Sequence, residues 1–402
     1  MSVPRLRFGG FKDQWIEKKI GDIAPKVGSG STPRGGEEVY QTTGVPFIRS
    51  QNVNDDCLLL DVITYIPDEV HSRMKGSVVK PNDILLNITG ASIGRSCVVP
   101  TDFPTGNVNQ HVCIIRVGKG FDPRFLQPYL SSSRGQKSIL STQVGSGREG
   151  LNFQAIRSFK VFIPTLAEQT RIASSLTTVD EKIFQLSQKC DLLTQYKKGV
   201  MQQIFSQVIK FKDEDGKGFP DWKELRLGDV GEIITGKTPS TADGSLWNGD
   251  IQFVTPTDIT DQKYQHEAQR KVAFNSKLKI LPTHSIMFTC IASIGKMSLS
   301  VWPCITNQQI NALVPKGGFN NEYIYYALLN ITDFIKSTQA NTTLPIINKT
   351  EFSKFVILVP TLAEQTKIAN FLTAIDDKIS NVQSQLTAAK QYKQGLLQQM
   401  FV

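Results

Sequence analysis

Two stretches of this 402-residue chain carry apolar residues at alternating spacings of four and three. In the first stretch they are Ile172, Leu176, Val179, Ile183, Leu186, Cys190, Leu193, Val200 and Ile204. In the second they are Ile368, Leu372, Ile375, Ile379, Val382, Leu386, Ala389, Leu396 and Met400. A stripe of this period over about five heptads predicts a coiled coil. Each stretch opens just after a proline with a Thr-x-x-Glu capping box, Thr165 with Glu168 and Thr361 with Glu364. Each helix would run about 60 Å at 1.5 Å per residue. Neither stripe can stay solvated, so the helices are expected to pair with each other, antiparallel. One seam position in each is a lysine, Lys197 and Lys393, beside Tyr196 and Tyr392. The expectation is that each lysine snorkels at the end of the seam; a register lock or a partner-binding notch is the alternative.

The two stretches are copies. Residues 164–205 and 360–401 agree at 21 of 42 positions without a gap. The intervening segments echo one another more weakly. Trp15-Ile-Glu-Lys-Lys-Ile-Gly-Asp-Ile answers Trp222-Lys-Glu-Leu-Arg-Leu-Gly-Asp-Val, Gly30-Ser-Thr-Pro33 answers Gly236-Lys-Thr-Pro239, and Ala91-Ser-Ile-Gly-Arg95 answers Ala292-Ser-Ile-Gly-Lys296. The chain therefore reads as domain (1–163), helix (164–207), domain (208–359), helix (360–402). The expected fold class is α/β (α+β): two similar mixed domains with a pseudo-twofold relation, separated by helices that pair as an antiparallel coiled coil. Candidate strands are Val45–Arg49, Ile84–Ile88, Val112–Val117 and Phe159–Ile163, with a helix near Pro123–Leu140. In the second domain they are Gln252–Thr255, Ser285–Thr289, Gln309–Val314 and Phe355–Val359, with a helix near Asn320–Ser337.

Charge sharpens this picture. The net charge is +9, and residues 1–163 hold 20 Lys+Arg against 14 Asp+Glu. A basic surplus suits a polyanion such as DNA. The six cysteines form no CxxC pair, so metal-site spacing is absent and they read as reduced cytosolic thiols. No run of 18 apolar residues predicts a membrane span.

The loops between the strands carry residue types that bind phosphate and base edges. In the first domain the candidates are Arg49, Ser50 and Asn52; Thr89, Ser92 and Arg95; Asn109, Gln110 and His111; and Ser146, Arg148 and Asn152. In the second they are Thr257 and Asp258; Ser293 and Lys296; Asn307, Gln308 and Gln309; and Asn341, Thr342 and Thr343. Any one such loop is an ordinary turn; the case rests on recurrence at matching places in two domains.

This order of elements resembles the specificity (S, HsdS) subunit of Type I restriction–modification systems. The residues that carry the resemblance are the two P-T-L-A-E-Q-T helix starts, the Y-K-x-G-x-x-Q-Q helix ends, Gly-Asp-Ile/Val followed by Gly-x-Thr-Pro, and Leu85-Leu-Asn-Ile-Thr-Gly-Ala-Ser-Ile-Gly-Arg95. The resemblance implies that each domain is a target-recognition domain for one half of a bipartite double-stranded DNA site. It implies that the coiled coil sets the gap and docks two modification (methyltransferase) subunits. Restriction (translocase/nuclease) subunits would join them, in the cytoplasm of a prokaryotic cell. S-adenosylmethionine, ATP and Mg would act on those partners, with no cofactor or metal on this chain and no catalysis by it.

Two readings of other classes compete. Gly231-Glu-Ile-Ile-Thr-Gly236-Lys237-Thr238 fits the P-loop pattern of an NTP-binding enzyme. Against it, Pro239 follows directly, and the counterpart at Gly28–Pro33 lacks the lysine. A scaffold whose domains bind proteins rather than DNA is the other.

Overall fold

The computed structural model describes residues 4–54, 56–142, 150–274, 278–339 and 345–401. It divides into two compact units, residues 1–187 with 384–402, and residues 188–383. Both predicted long helices form, Leu166–Phe205 and Leu362–Met400. Each unit takes the N-terminal half of one helix and the C-terminal half of the other. In the first unit Ile172, Ala173 and Leu176 share a core with Leu396, Leu397, Met400 and Phe401. In the second, Ile368, Ala369, Leu372 and Ile375 share one with Val200, Met201, Ile204 and Phe205. Start beside end, twice, is the antiparallel pairing that the seam predicted.

Two sheets build each domain. In the first unit Lys26–Ser29, Val112–Arg116, Ile84–Asn87 and Ser96–Val98 lie side by side, all antiparallel. Thr64–Ile66, Val45–Ile48, Gly106–Val108 and Val78–Val79 make the other sheet, with Val45–Ile48 and Gly106–Val108 parallel. The second unit repeats the first sheet as Gly231–Thr235, Ile310–Pro315, Ile286–Thr289 and Met297–Ser300, adding Tyr264–Gln265. Its other sheet is Arg270–Val272, Trp247–Val254 and Cys304–Thr306. A two-stranded ribbon precedes each long helix: Ile16–Lys19 with Lys160–Ile163, and Lys223–Arg226 with Val356–Val359.

The single helix expected near Pro123–Leu140 is two, Pro123–Ser131 and Ser133–Ser141. Ser132 is extended at ψ 159° and its hydroxyl accepts the Gly135 N–H at 3.2 Å, so it caps a new helix. The second domain breaks likewise at Ile331, between Asn321–Asn330 and Thr332–Ser337.

The repeated helix starts prove to be domain anchors. Glu168, expected in a capping box, spends both carboxylate oxygens on Arg7 (2.7 and 2.8 Å) and one of them also on Trp15 Nε1 (3.3 Å). Glu364 accepts Trp222 Nε1 at 3.1 Å. Burial lifts the Glu364 carboxyl above its usual value, against the pull of that indole N–H. Gln169 accepts the Asp122 N–H at 3.0 Å and donates to Pro164 O at 2.9 Å. Gln365 repeats this on Asn320 N (2.9 Å) and Pro360 O (2.9 Å). The helix ends anchor as well: Phe401 packs on Phe125 and Tyr129, Phe205 on Trp222 and Tyr323. Leu6 N–H bonds Gln399 O at 3.0 Å, matching the bond from Ile209 N–H to Gln203 O at 3.1 Å.

The seam lysines do not snorkel. Lys393 Nζ lies 2.6 Å from Asp56 and 2.5 Å from Asp180, its side chain 12% exposed. Lys197 Nζ lies 2.6 Å from Asp376 and over the Tyr326 ring, its side chain 17% exposed. Both are inward ion pairs: each ammonium, withdrawn from water, meets a carboxylate on the facing helix, which a buried charge requires.

Candidate nucleic-acid interface

Two turns, one in each domain, have a shared scaffold. Gly30 N–H bonds Asn109 O at 3.1 Å, and Gly236 N–H bonds Ile310 O at 3.1 Å. A Cβ on Gly30 would stand 1.7 Å from Val108 O; one on Gly236 would stand 2.2 Å from Asn307 O. Only glycine permits so close a backbone approach. The threonine two residues on reaches across: Thr32 Oγ1 donates to Gln110 Oε1 at 2.6 Å, and Thr238 Oγ1 donates to Gln308 Oε1 at 2.7 Å. The Gly-x-Thr-Pro motif therefore pins an Asn-Gln turn in each domain, which explains its repetition.

In the first domain that turn extends into a polar chain. His111 Nε2 lies 3.1 Å from Gln110 Nε2, and His111 Nδ1 lies 2.5 Å from Thr89 Oγ1. Gln110 is exposed, and His111 and Thr89 are half-buried. Arg95 is exposed and Ser92 half-buried in the adjoining turn. In the second domain Gln308, Ser293, Lys296 and Thr257 are exposed and Gln309 is half-buried. These groups can offer hydrogen bonds to phosphate or base edges without first being unburied.

Several candidates are committed to holding their own loops. Asn52 is fully buried; it accepts Arg49 N–H at 2.9 Å and donates to Leu59 O at 3.1 Å. Asn109 accepts His111 N–H at 3.0 Å, and Asn307 accepts Gln309 N–H at 3.1 Å and donates to Gln309 Oε1 at 3.0 Å. Asp258 accepts from Thr255 N–H, Thr255 Oγ1 and Gln269 N–H. Asn152 caps a helix through Ala155 N–H at 2.7 Å. Arg49 is half-buried over the Tyr40 ring and donates to Thr64 Oγ1 at 2.8 Å; Ser50 O accepts from Asn87. Of these seven, Asn52, Asn109 and Asn307 are buried and shape their turns from within, Arg49, Ser50 and Asp258 are half-buried, and Asn152 is exposed. Ser146, Arg148, Asn341, Thr342 and Thr343 lie outside the described residues.

The P-loop reading fails on geometry. Gly231–Thr235 is a sheet strand, not a phosphate-cradling loop, and Gly236–Pro239 leads into no helix. Among the described residues no group of three or more His, Cys, Asp or Glu could hold a metal, and no helix is long and apolar enough to cross a membrane. Cys97, Cys113, Cys290 and Cys304 are buried free thiols, Cys113 pushed up to about 12 by burial.

Comparison with known proteins decides the family. The Type I restriction modification DNA specificity domain matches twice, over residues 12–193 and 220–390. The chain belongs to this family. A Type I restriction enzyme specificity subunit of Haemophilus influenzae (HindI) is 24% identical, with 86% of this chain and 90% of that one aligned. The MjaIX specificity subunit of Methanocaldococcus jannaschii is 32% identical, over 45% of this chain and 44% of its own length. The Type I S subunit from M. genitalium has the same fold at TM-score 0.65 and 15% identity, covering 100% and 99% of the two chains. A chain from a structural study of Type I R-M complex assembly superposes at TM-score 0.57, with 17% identity and 96% and 97% covered. The double match to a specificity domain coincides with the duplication seen in the residues.

Proposed function

We propose that each domain of this specificity subunit reads one half of a bipartite duplex DNA target. The paired helices would set the gap and dock two methyltransferase subunits, with restriction subunits joining them in a prokaryotic cytoplasm. The observation that carries this reading is the duplicated turn. Two diverged domains keep one glycine-seated scaffold, with Thr32 and Gln110 in one and Thr238 and Gln308 in the other, and vary what surrounds it. Different side chains on a constant frame are what two different half-sites require. The exposed set, Arg95, Gln110, Thr257, Ser293, Lys296 and Gln308 with half-buried Thr89, Ser92, His111 and Gln309, supplies the contacts. Catalysis, with S-adenosylmethionine, ATP and Mg, falls to the partners.

A gel shift of the complex with methyltransferase subunits, against duplexes randomised in one half at a time, tests this. Arg95→Ala should relax or weaken reading of one half only, by about 1–3 kcal/mol if the contact is bidentate to guanine. Equal loss at both halves defeats the assignment. A protein-binding scaffold would show no steep salt dependence of DNA affinity.

A further inference from the structure

The two seam lysines occupy the same place in the repeat, and each meets the aspartate at the same place in the other copy: Lys393 with Asp180, Lys197 with Asp376. Each is also tied to the domain of its own unit, by different chemistry. Lys393 bonds Asp56, whose carboxylate is held by Ser131 Oγ at 2.6 Å and by Gln127. Lys197 lies over Tyr326, whose hydroxyl donates to Asp376 at 2.5 Å. Lys263 extends that cluster, donating to Thr373 Oγ1 at 2.7 Å and pairing with Glu322 at 3.2 Å. Each cluster therefore joins three bodies: one helix, the other helix and a recognition domain.

Apolar seams tolerate slippage, since a heptad shift returns leucine-like residues to leucine-like neighbours. A shielded ammonium between carboxylates does not, because a slipped register leaves a buried charge unpaired. Burial alone would lower the Lys393 pKa, but Asp56 and Asp180 outweigh it and hold it above the ordinary lysine value. We propose that Lys393 and Lys197 are positioning residues that lock helix register to the seat of each domain, and so determine the gap length the protein accepts. This rests on the bipartite reading above; a heptad slip moves a helix about 10 Å, or roughly three base-pair steps.

The test uses the full chain with its methyltransferase subunits and duplexes that keep both half-sites but vary the gap. Wild type should methylate one gap length. Lys393→Met and Lys197→Met should lose at least ten-fold in gap selectivity while each half-site keeps its sequence preference, and Lys→Arg at either position should restore it. Met variants with unchanged gap selectivity overturn the proposal. So does a loss of half-site and gap selectivity together that arginine does not rescue. A second measurement needs no DNA. Cys190 Sγ lies 3.7 Å from Gln383 Oε1, so Gln383→Cys should cross-link to Cys190 in a Cys57→Ser background. Lys390→Cys, one heptad away, should cross-link several-fold more in the Met variants than in their Lys parent; no increase overturns the lock. If wild type ignores gap length, the bipartite reading falls, and the cross-link comparison alone decides the lock.

Discussion

Gly30→Ala should blind one recognition domain and spare the other. The added Cβ would lie 1.7 Å from Val108 O, 2.6 Å from Val108 C and 2.7 Å from Ser77 Cβ, so backbone must move. Overpacking of this kind costs about 1–3 kcal/mol, and losing the bond from Gly30 N–H to Asn109 O removes about 1 kcal/mol more. The displacement falls on the segment that carries Thr32 to Gln110, so that contact at 2.6 Å goes with it. That total of roughly 2–4 kcal/mol is a cost in fold stability, and it passes to affinity only so far as binding requires the undistorted turn, which sets a ceiling of about 30- to 700-fold. Gly28→Ala, whose Cβ meets nothing within 4 Å, is the control on the strand that ends just before Gly30 and should bind as wild type. The assay is a fluorescence titration of the methyltransferase complex against duplexes with one half-site or the other scrambled. Gly30→Ala should become indifferent to scrambling the first half and keep full discrimination at the second; Gly236→Ala should do the reverse. Wild-type affinity for Gly30→Ala, or equal damage at both halves, refutes the assignment of this turn to reading.

Three further outcomes follow from named contacts. Ile204→Ala empties a fully buried position in the second unit and should cost about 2–5 kcal/mol, read by denaturation through Trp222, which packs beside Phe205. Lys393, Ser131 and Gln127 together outweigh the burial that would raise the Asp56 carboxyl, and hold it below its ordinary 3.8. Its stabilising contribution is therefore present above the unfolded pKa and lost as pH falls through the folded one. Asp56→Asn should flatten that acid limb in a thermal-melt pH series, and an unchanged limb would remove Asp56 from the account. Lys296→Ala removes an exposed cation beside the second turn; it should weaken binding to every sequence and reduce the slope of log affinity against log salt by about 1.

The helices were legible because a 3.5-residue stripe has one physical solution, burial against a partner stripe. The central strands were legible as short apolar runs, whereas Gly106–Val108 or Val78–Val79 are too short to show a period. The site was legible only in part. Asn and Asp cap turns with the same atoms that bind DNA, so Asn52, Asn152 and Asp258 could not be told from Gln110 or Gln308 before their partners were seen. The seam lysines were misread because the partner charges lie far away in sequence: Asp56 is in a domain, and Asp180 is on the other helix. The P-T-L-A-E-Q motif signalled a helix start, but that its Glu and Gln hold the domain's Trp and helix N-terminus required the tertiary structure.

The central claim is that two domains read two words at one fixed distance. Single-molecule mapping of methylated bases in cells carrying this chain with its modification subunits tests it directly. The account predicts a motif of two short defined sequences separated by an undefined gap of constant length. A single uninterrupted motif, or no methylation dependent on this chain, would contradict it.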